Sequence, residues 1–183
     1  MKFPVIPVAL VALLTAFGGA PAKDEPAGKL ERALFAAGCF WKTQYIFSKV
    51  PGVVKTRAGY CGGTAPNPSY GEVCSGNTGH AETVLVEYDP GTVSYRRLLE
   101  VFWHNHDPTT VNRQGPDVGT QYRSVVFYTT DEQRKEAIAC REELMRSHRF
   151  PRPIVTAIEP AGPFYDAEDY HQDYYRKHGE VCH

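Results

Sequence analysis

Hydrophobic positions follow two periods along the chain, and together they predict five strands and four helices. Short apolar or alternating runs are typical of strands, whereas apolar residues that recur three or four positions apart are typical of helices. Ser94 and Asp131 precede two of the helical patterns and are the expected N-caps. The predicted strands are 32–37, 53–60, 83–88, 121–130 and 155–159, and the predicted helices are 40–50, 94–106, 131–149 and 167–177.

This succession of elements predicts an α+β fold. We expect a two-layer sandwich in which a mixed sheet carries helices packed on one face, with a ferredoxin-like core. Two long segments, 62–80 and 107–120, separate the periodic stretches and are predicted as loops. Loops of this length are uncommon in compact domains and often carry function.

The first residues have the features of a secretory signal peptide, which we expect at 1–22. Lys2 supplies a positive start, residues 4–20 are almost wholly apolar, and Ala-Pro-Ala follows at 20–22. An uncleaved anchor is the alternative, because about 17 apolar residues is the lower limit for a membrane span. We therefore expect an exported protein, either secreted or in a bacterial periplasm. A flexible lead-in at 23–32 would precede a single domain at 33–183, which ends in a short tail.

Composition and charge narrow the class of protein further. Hydrophobic residues make up 42% and charged residues 22% of 183 positions, which is the balance of a soluble globular domain. The formal net charge is -1, so nothing favours electrostatic binding of nucleic acid or acidic lipid. We expect a monomer without a nucleic-acid partner.

The cysteines favour redox chemistry over metal binding. An odd number in an exported protein leaves at least one thiol unpaired or transiently paired. No pair has the C-x-x-C spacing of a zinc knuckle or a thioredoxin-type dithiol. His104 and His106 would lie on different faces of a helix beside Asp107, so we expect no metal there. The five cysteines are Cys39, Cys61, Cys74, Cys140 and Cys182.

Two residues stand out as candidates for chemistry. Cys39 follows the first strand and precedes the first helix, where free N–H groups and Lys42 would stabilise a thiolate. The alternative is a buried, inert cysteine. Glu82 begins the third strand beside a long loop, and burial would keep it protonated and suited to general acid catalysis. The alternative is a solvated glutamate.

Six ordered segments resemble the peptide methionine sulfoxide reductase A family. The resemblance covers residues 34–175, nearly the whole predicted domain, and six ordered motifs make it specific. The segments are GCFW (38–41), GYCGG (59–63), PNPSYGEVCSGNTGHAE (66–82), VFWHNHDPTT (101–110), RQGPDVGTQYRS (113–124) and FYDAEDYHQDY (164–174).

The resemblance implies a role for each matching position. It implies that Cys39 is the nucleophile, that Glu82 is the general acid, and that an aromatic pair forms the pocket for the substrate methyl group. Two tyrosine hydroxyls would bind the sulfoxide oxygen, a carboxylate would support them, and a cysteine of the tail would resolve the oxidised nucleophile. These further positions are Phe40 and Trp41, Tyr70 and Tyr122, Asp117, and Cys182, with Cys61 as the alternative resolving thiol.

The implied activity is reduction of the S epimer of methionine sulfoxide, free or in proteins. Cys39 would become a sulfenic acid, a second thiol would convert it to a disulfide, and a thioredoxin-like donor would reduce that disulfide. No metal or organic cofactor is expected. A peroxide-consuming thiol enzyme and a disulfide-stabilised binding module of the envelope are the rival hypotheses, and neither needs the group of Glu82, Tyr70 and Tyr122.

Overall fold

A computed structural model of the protein describes residues 28–179, so the expected signal peptide and Cys182 lie outside the described residues. No helix in 28–179 is both long and apolar enough to cross a membrane. The elements are β1 (Glu31–Ala37), α1 (Phe40–Ser48), β2 (Val53–Cys61), α2 (Tyr70–Cys74), β3 (Ala81–Tyr88), α3 (Tyr95–His104), β4 (Arg113–Gln114), β5 (Asp117–Val118), a 3-10 turn (Thr120–Tyr122), β6 (Ser124–Tyr128), α4 (Asp131–Arg146), β7 (Ala157–Pro160), β8 (Tyr165–Asp166) and α5 (Tyr174–His178).

Six strands form one mixed sheet in the order β7-β6-β1-β3-β2-β8. The β6–β7 pair is parallel and the other neighbours are antiparallel. Phe35 pairs with Val84 on one side and Val126 on the other, so β1 lies in the middle of the sheet. Along the chain, β1, α1, β2, β3, α3 and β6 follow one another as strand, helix, strand, strand, helix and strand.

Three helices cover one face of the sheet. Phe35 of β1 stacks on Phe47 of α1 at 4.8 Å and on Phe102 of α3 at 5.3 Å between ring centroids, while α4 adds Ala137 to the same core. The opposite face is a smaller apolar cluster, against which Phe164 packs from the chain after β7. Burial on both faces explains why β1 is a continuous apolar run rather than an alternating one. The predicted α+β sandwich with a mixed sheet is confirmed.

The predicted cap of the third long helix is wrong by one residue. The Thr130 hydroxyl accepts the N–H of Gln133 at 3.2 Å, so Thr130 is the N-cap of α4 and Asp131 lies in its first turn. There its carboxylate still faces the positive end of the helix. The predicted Ser94 cap of α3 is confirmed, because its hydroxyl accepts the N–H of Arg97 at 3.2 Å.

The predicted helix 167–177 is wrong over its first half, because α5 begins only at Tyr174. The Gln172 side chain accepts the N–H of Ala58 at 2.9 Å and donates to the carbonyl of the same residue at 2.8 Å. Asp173 has a φ of 53° and donates its N–H to the Gln44 side chain. The Asp173 N–H is thus bonded to α1 instead of to a helical carbonyl, and the Gln172 side chain ties the segment to β2.

The two predicted loops hold short elements that matter for the site. In the first, Ser69 and Glu72 form a capping box at the start of α2, with the Ser69 N–H donating to the Glu72 carboxylate at 2.8 Å. The Ser-x-x-Glu spacing is a known helix-start signature, so the sequence contained this signal. In the second, β4 and β5 form a hairpin. The predicted strand 121–130 starts later, at Ser124, because Thr120–Tyr122 form the 3-10 turn.

Candidate active site

Cys39 occupies the sharp turn between β1 and α1. It is the N-cap residue of α1 and is half-buried. The preceding Gly38 has a φ of 85°, and a Cβ added there would lie 2.5 Å from the Cβ of Gln114. Only glycine satisfies both the left-handed backbone and this close approach. The β4–β5 hairpin, which holds Gln114, therefore packs directly against the turn that presents the thiol.

The pKa of the Cys39 thiol is raised, contrary to the expectation from the helix N-terminus. Burial is the main cause, and the negative charges of Glu82 and Asp117 act in the same direction. The N–H groups of Trp41 and Lys42 lower the pKa as expected, but burial outweighs them. Cys39 is therefore a thiol at neutral pH in the free protein, and its proton leaves only when a reaction drives it.

Glu82 is a buried carboxylic acid next to the turn that holds Cys39. It is the second residue of β3 and is 2% exposed, and its Oε2 accepts the N–H of Phe40 at 2.9 Å. Burial raises its pKa to about 8, with a further contribution from Asp117, although the Phe40 hydrogen bond lowers it. The carboxyl group therefore carries a proton at neutral pH and can donate it.

Three further predicted residues surround this acid from separate elements. Tyr70 begins α2, Tyr122 ends the 3-10 turn, and Asp117 begins β5. Burial raises the pKa of both phenols, and the charge of Glu82 raises both further. The hydroxyls therefore stay protonated and can donate hydrogen bonds to a developing oxyanion. The long loops thus bring together residues far apart in sequence.

The aromatic pair after Cys39 is held by contacts with the C-terminal part of the domain. Phe40 is fully buried, with its ring centroid 5.0 Å from that of His171 and 6.5 Å from that of Tyr70. Trp41 donates its indole N–H to Nδ1 of His171 at 3.0 Å and stacks on Tyr174 at 3.8 Å. The hydrogen bond holds one edge of the indole ring and the stacking holds one of its faces, so the orientation of Trp41 is fixed.

Glu168 and Arg123 are positioning residues that the sequence analysis missed. Glu168 accepts the Tyr60 hydroxyl and the backbone N–H of Tyr70, each at 2.9 Å, and so holds the start of α2. Arg123 donates to the carbonyls of Thr120 and Gly79, each at 3.0 Å, and joins the turn of Tyr122 to the segment before Glu82. The only sequence signal was their place inside the matching segments, because their partners are distant in the chain.

The remaining cysteines differ in their access to the site. Tyr60 pairs with Glu82 and Cys61 pairs with Ala81, so Cys61 points to the opposite face of the sheet from Glu82. It is fully buried there, with its Sγ 3.9 Å from the carbonyl oxygen of Gly162. Cys74 is exposed at the end of α2 and hydrogen-bonds with the Tyr70 side chain.

The histidines considered for metal binding have protein partners instead. His104 Nδ1 lies 2.6 Å from the carbonyl oxygen of Glu100. His106 Nδ1 lies 2.7 Å from the carbonyl oxygen of Phe102, and its Nε2 lies 2.7 Å from the Ser124 hydroxyl. Within residues 28–179, no group of three or more histidine, cysteine, aspartate or glutamate side chains is arranged to hold a metal ion.

The fold and the site define a thiol-dependent oxidoreductase. The sequence profile of the peptide methionine sulfoxide reductase family matches residues 31–183, and the chain belongs to this family. It is 64% identical to peptide methionine sulfoxide reductase MsrA of Methanoculleus marisnigri over 154 residues, which is 84% of this chain and 94% of that protein.

Solved structures agree with this assignment. Reduced Mxr1 from Saccharomyces cerevisiae is similar with a TM-score of 0.79 and 40% identity, covering 88% of this chain and 92% of that one. Mxr1 in complex with Trx2 is similar with a TM-score of 0.58 and 30% identity, covering 84% of this chain and 89% of that one.

The raised pKa of Glu82 predicts a pH-dependent loss of stability. The folded protein holds this proton more tightly than the unfolded chain, so the contribution is complete below pH 4.5 and is lost as the pH rises to about 8. Glu82→Gln cannot ionise. As the pH rises from 4.5 to about 8, the free energy of unfolding of Glu82→Gln should therefore rise relative to that of the original protein by on the order of 4 kcal/mol. Urea unfolding measures this difference, with the exposed Glu142→Gln as control, and a pH-independent difference would contradict it.

Glu168→Gln is expected to slow the reduction of methionine sulfoxide, because Glu168 positions Tyr70. Loss of the charge weakens the bond to the Tyr70 N–H, so kcat/KM should fall about tenfold with little change in Tm. Because the effect acts through Tyr70, it should largely disappear in a Tyr70→Phe background. The neighbouring exposed Asp169→Asn serves as the control. Full additivity of the two substitutions would show that Glu168 does not position Tyr70.

Proposed function

We propose that this chain reduces the S epimer of methionine sulfoxide with Cys39 as the nucleophile and Glu82 as the general acid. The observation that carries the proposal is the Glu82 carboxyl group. It is buried, protonated and bonded to the N–H of the residue that follows Cys39. A sulfoxide is reduced only if its oxygen is protonated as the nucleophile attacks, and this acid is placed to supply that proton.

The first step transfers oxygen from the substrate to the enzyme. The Cys39 sulfur loses its thiol proton and attacks the sulfoxide sulfur, while the sulfoxide oxygen takes the proton of Glu82. The bond between oxygen and the methionine sulfur breaks, and the oxygen ends on Cys39 as a sulfenic acid. The former thiol proton restores the Glu82 carboxyl group. Two electrons pass from the Cys39 sulfur to the substrate sulfur.

The surrounding side chains favour the transition state of this step. Tyr70 and Tyr122 keep their phenolic protons and donate to the developing charge on oxygen. Phe40 and Trp41 offer an apolar surface to the substrate methyl group, and the hydrogen bond and stacking of Trp41 fix that surface in advance. Asp117 helps to keep the proton on Glu82 through its negative charge.

A second thiol then resolves the sulfenic acid. Condensation with Cys182 would release water and form a disulfide, which a thioredoxin-type dithiol would reduce by exchange. The complex of the related Mxr1 with Trx2 supports a donor of this class. The burial of Cys61 on the far face of the sheet argues against it as the resolving thiol. The thiols supply the two electrons and two hydrogens of this scheme, and the oxygen of the released water comes from the sulfoxide.

We also propose that the chain is exported and acts as a monomer in a bacterial periplasm or outside the cell. The apolar run at 4–20 and the small residues at 20–22 support export. Oxidants damage methionine in such a compartment, so a repair enzyme there has substrates in neighbouring proteins.

The decisive experiment follows both sulfoxide epimers of N-acetylmethionine with dithiothreitol as the reductant. The domain should reduce only the S epimer. Cys39→Ser should abolish the reaction, because a serine hydroxyl is a much weaker nucleophile than a cysteine thiol. Peroxide consumption is measured in parallel. Turnover of peroxide without turnover of either sulfoxide would favour the rival thiol enzyme, and a folded protein inert to both would favour a binding module.

Replacement of the tail cysteine should separate the two half-reactions. With a thioredoxin-type donor, Cys182→Ser is expected to release about one methionine per enzyme and then stall as the sulfenic acid. Cys61→Ser is the matched control and should keep multiple turnover. A burst measured by rapid quench checks both. Unimpaired turnover of Cys182→Ser would require another resolving thiol, for which the exposed Cys74 would be the next candidate.

A further inference from the structure

Met145 is the single methionine among residues 28–179, and it is half exposed. Its side chain is 52% accessible in the last turn of α4, just before the Ser147 cap. Accessible methionine sulfur is readily oxidised to the sulfoxide, whereas buried sulfur is protected. The chain thus carries on its own surface the side chain from which its substrate is formed.

The groove beside Met145 is large enough to admit a peroxide molecule. A groove of about 310 Å³ adjoins the side chain, and its walls include Leu144, Phe150 and Ile154. A water molecule occupies about 30 Å³ of liquid volume, so a peroxide molecule can enter the groove and reach the sulfur.

The end of α4 is suited to presentation of a modified side chain. Residues 145–149 and 151–153 are all exposed, and His148 has a left-handed backbone with a φ of 50°. A segment with so few buried contacts opens locally at a small free-energy cost. A sulfoxide at Met145 can therefore be offered as a short peptide rather than as part of a rigid helix.

The enzyme that accepts this peptide is a second molecule. α4 packs on α3, β6 and β7, whereas Cys39 is the N-cap of α1 and lies near Glu82 of β3 and Asp117 of the second loop. Both residues belong to elements anchored on the same sheet, so local opening of the end of α4 does not bring Met145 to Cys39 of its own chain. A second copy of the chain has no such restriction.

We propose that Met145 is an oxidation site of this protein and that another copy of the chain repairs it. Peroxide transfers one oxygen to the Met145 sulfur and leaves as water. Cys39 of a second copy then takes that oxygen as a sulfenic acid and restores the thioether, and a dithiol reduces the sulfenic acid through a disulfide with release of water. This inference rests on the proposed sulfoxide reductase function.

The test uses Cys39→Ser as the substrate, because this variant cannot repair itself. After treatment with hydrogen peroxide and its removal, trypsin releases the cysteine-free peptide 142–146, whose mass reports one added oxygen. A small amount of Met145→Leu, which keeps Cys39, is then added with dithiothreitol and N-acetylmethionine S-sulfoxide. About half of the oxidised peptide, the S epimer, should disappear at a rate proportional to the added enzyme. Cys39→Ser/Met145→Leu is the matched control and should restore none.

The outcomes separate this inference from the proposed function. If N-acetylmethionine sulfoxide is reduced while the oxidised peptide persists, repair of Met145 is excluded and the proposed function stands. If neither is reduced, the proposed function itself fails. Absence of peptide oxidation under conditions that oxidise free N-acetylmethionine also overturns the inference. In a second measurement, oxidised protein with intact Cys39 is diluted in excess dithiothreitol. A fractional repair rate that falls with dilution supports repair by a second copy, and an unchanged rate excludes it.

Discussion

The burial of one protonated carboxyl group is the constraint on which the site depends. Glu82 lies at the start of a central strand, and its oxygen accepts the first backbone N–H after Cys39. That contact ties β3 to α1, so the acid and the nucleophile keep a fixed relation. The same burial that keeps the proton on Glu82 also keeps it on Cys39. Cys39 and Glu82 are therefore both uncharged in the resting site, which limits the cost of burying them.

The C-terminal part of the domain completes the site from outside the sheet. Glu168, His171 and Gln172 bind, in turn, the start of α2, the indole of Trp41 and the backbone of β2. All three bonds are made by side chains of this segment to elements that are distant in the sequence. The segment is therefore stabilised by tertiary contacts rather than by its own propensity, and its function is to hold the aromatic surface beside Cys39 in one orientation.

Exposure divides the sulfur chemistry of the protein between two regions. In the site, burial raises the pKa of Cys39 and so keeps it a thiol, which limits its reaction with oxidants because the thiolate is the reactive form. On α4, Met145 is accessible and has no such protection. Oxidation of Met145 on α4 therefore takes place away from the Cys39 thiol at the start of α1.

The sequence by itself determined the order of the main elements, the mixed sheet with helices on one face, the Ser94 cap and the position of Cys39 between β1 and α1. These features follow from periodicity and capping, which depend on residues a few positions apart. It also identified the residues around the site through the ordered motifs.

Only the tertiary structure decided the protonation of Cys39 and Glu82, the face on which Cys61 lies, and the late start of the last helix at Tyr174 rather than at 167. Each depends on partners that are distant in the chain: the strand register that opposes Cys61 to Ala81, the packing that buries Glu82, and the β2 backbone that binds Gln172. Local patterns contain no information about burial by distant residues, and burial sets both the pKa values and the preferred hydrogen-bond partners.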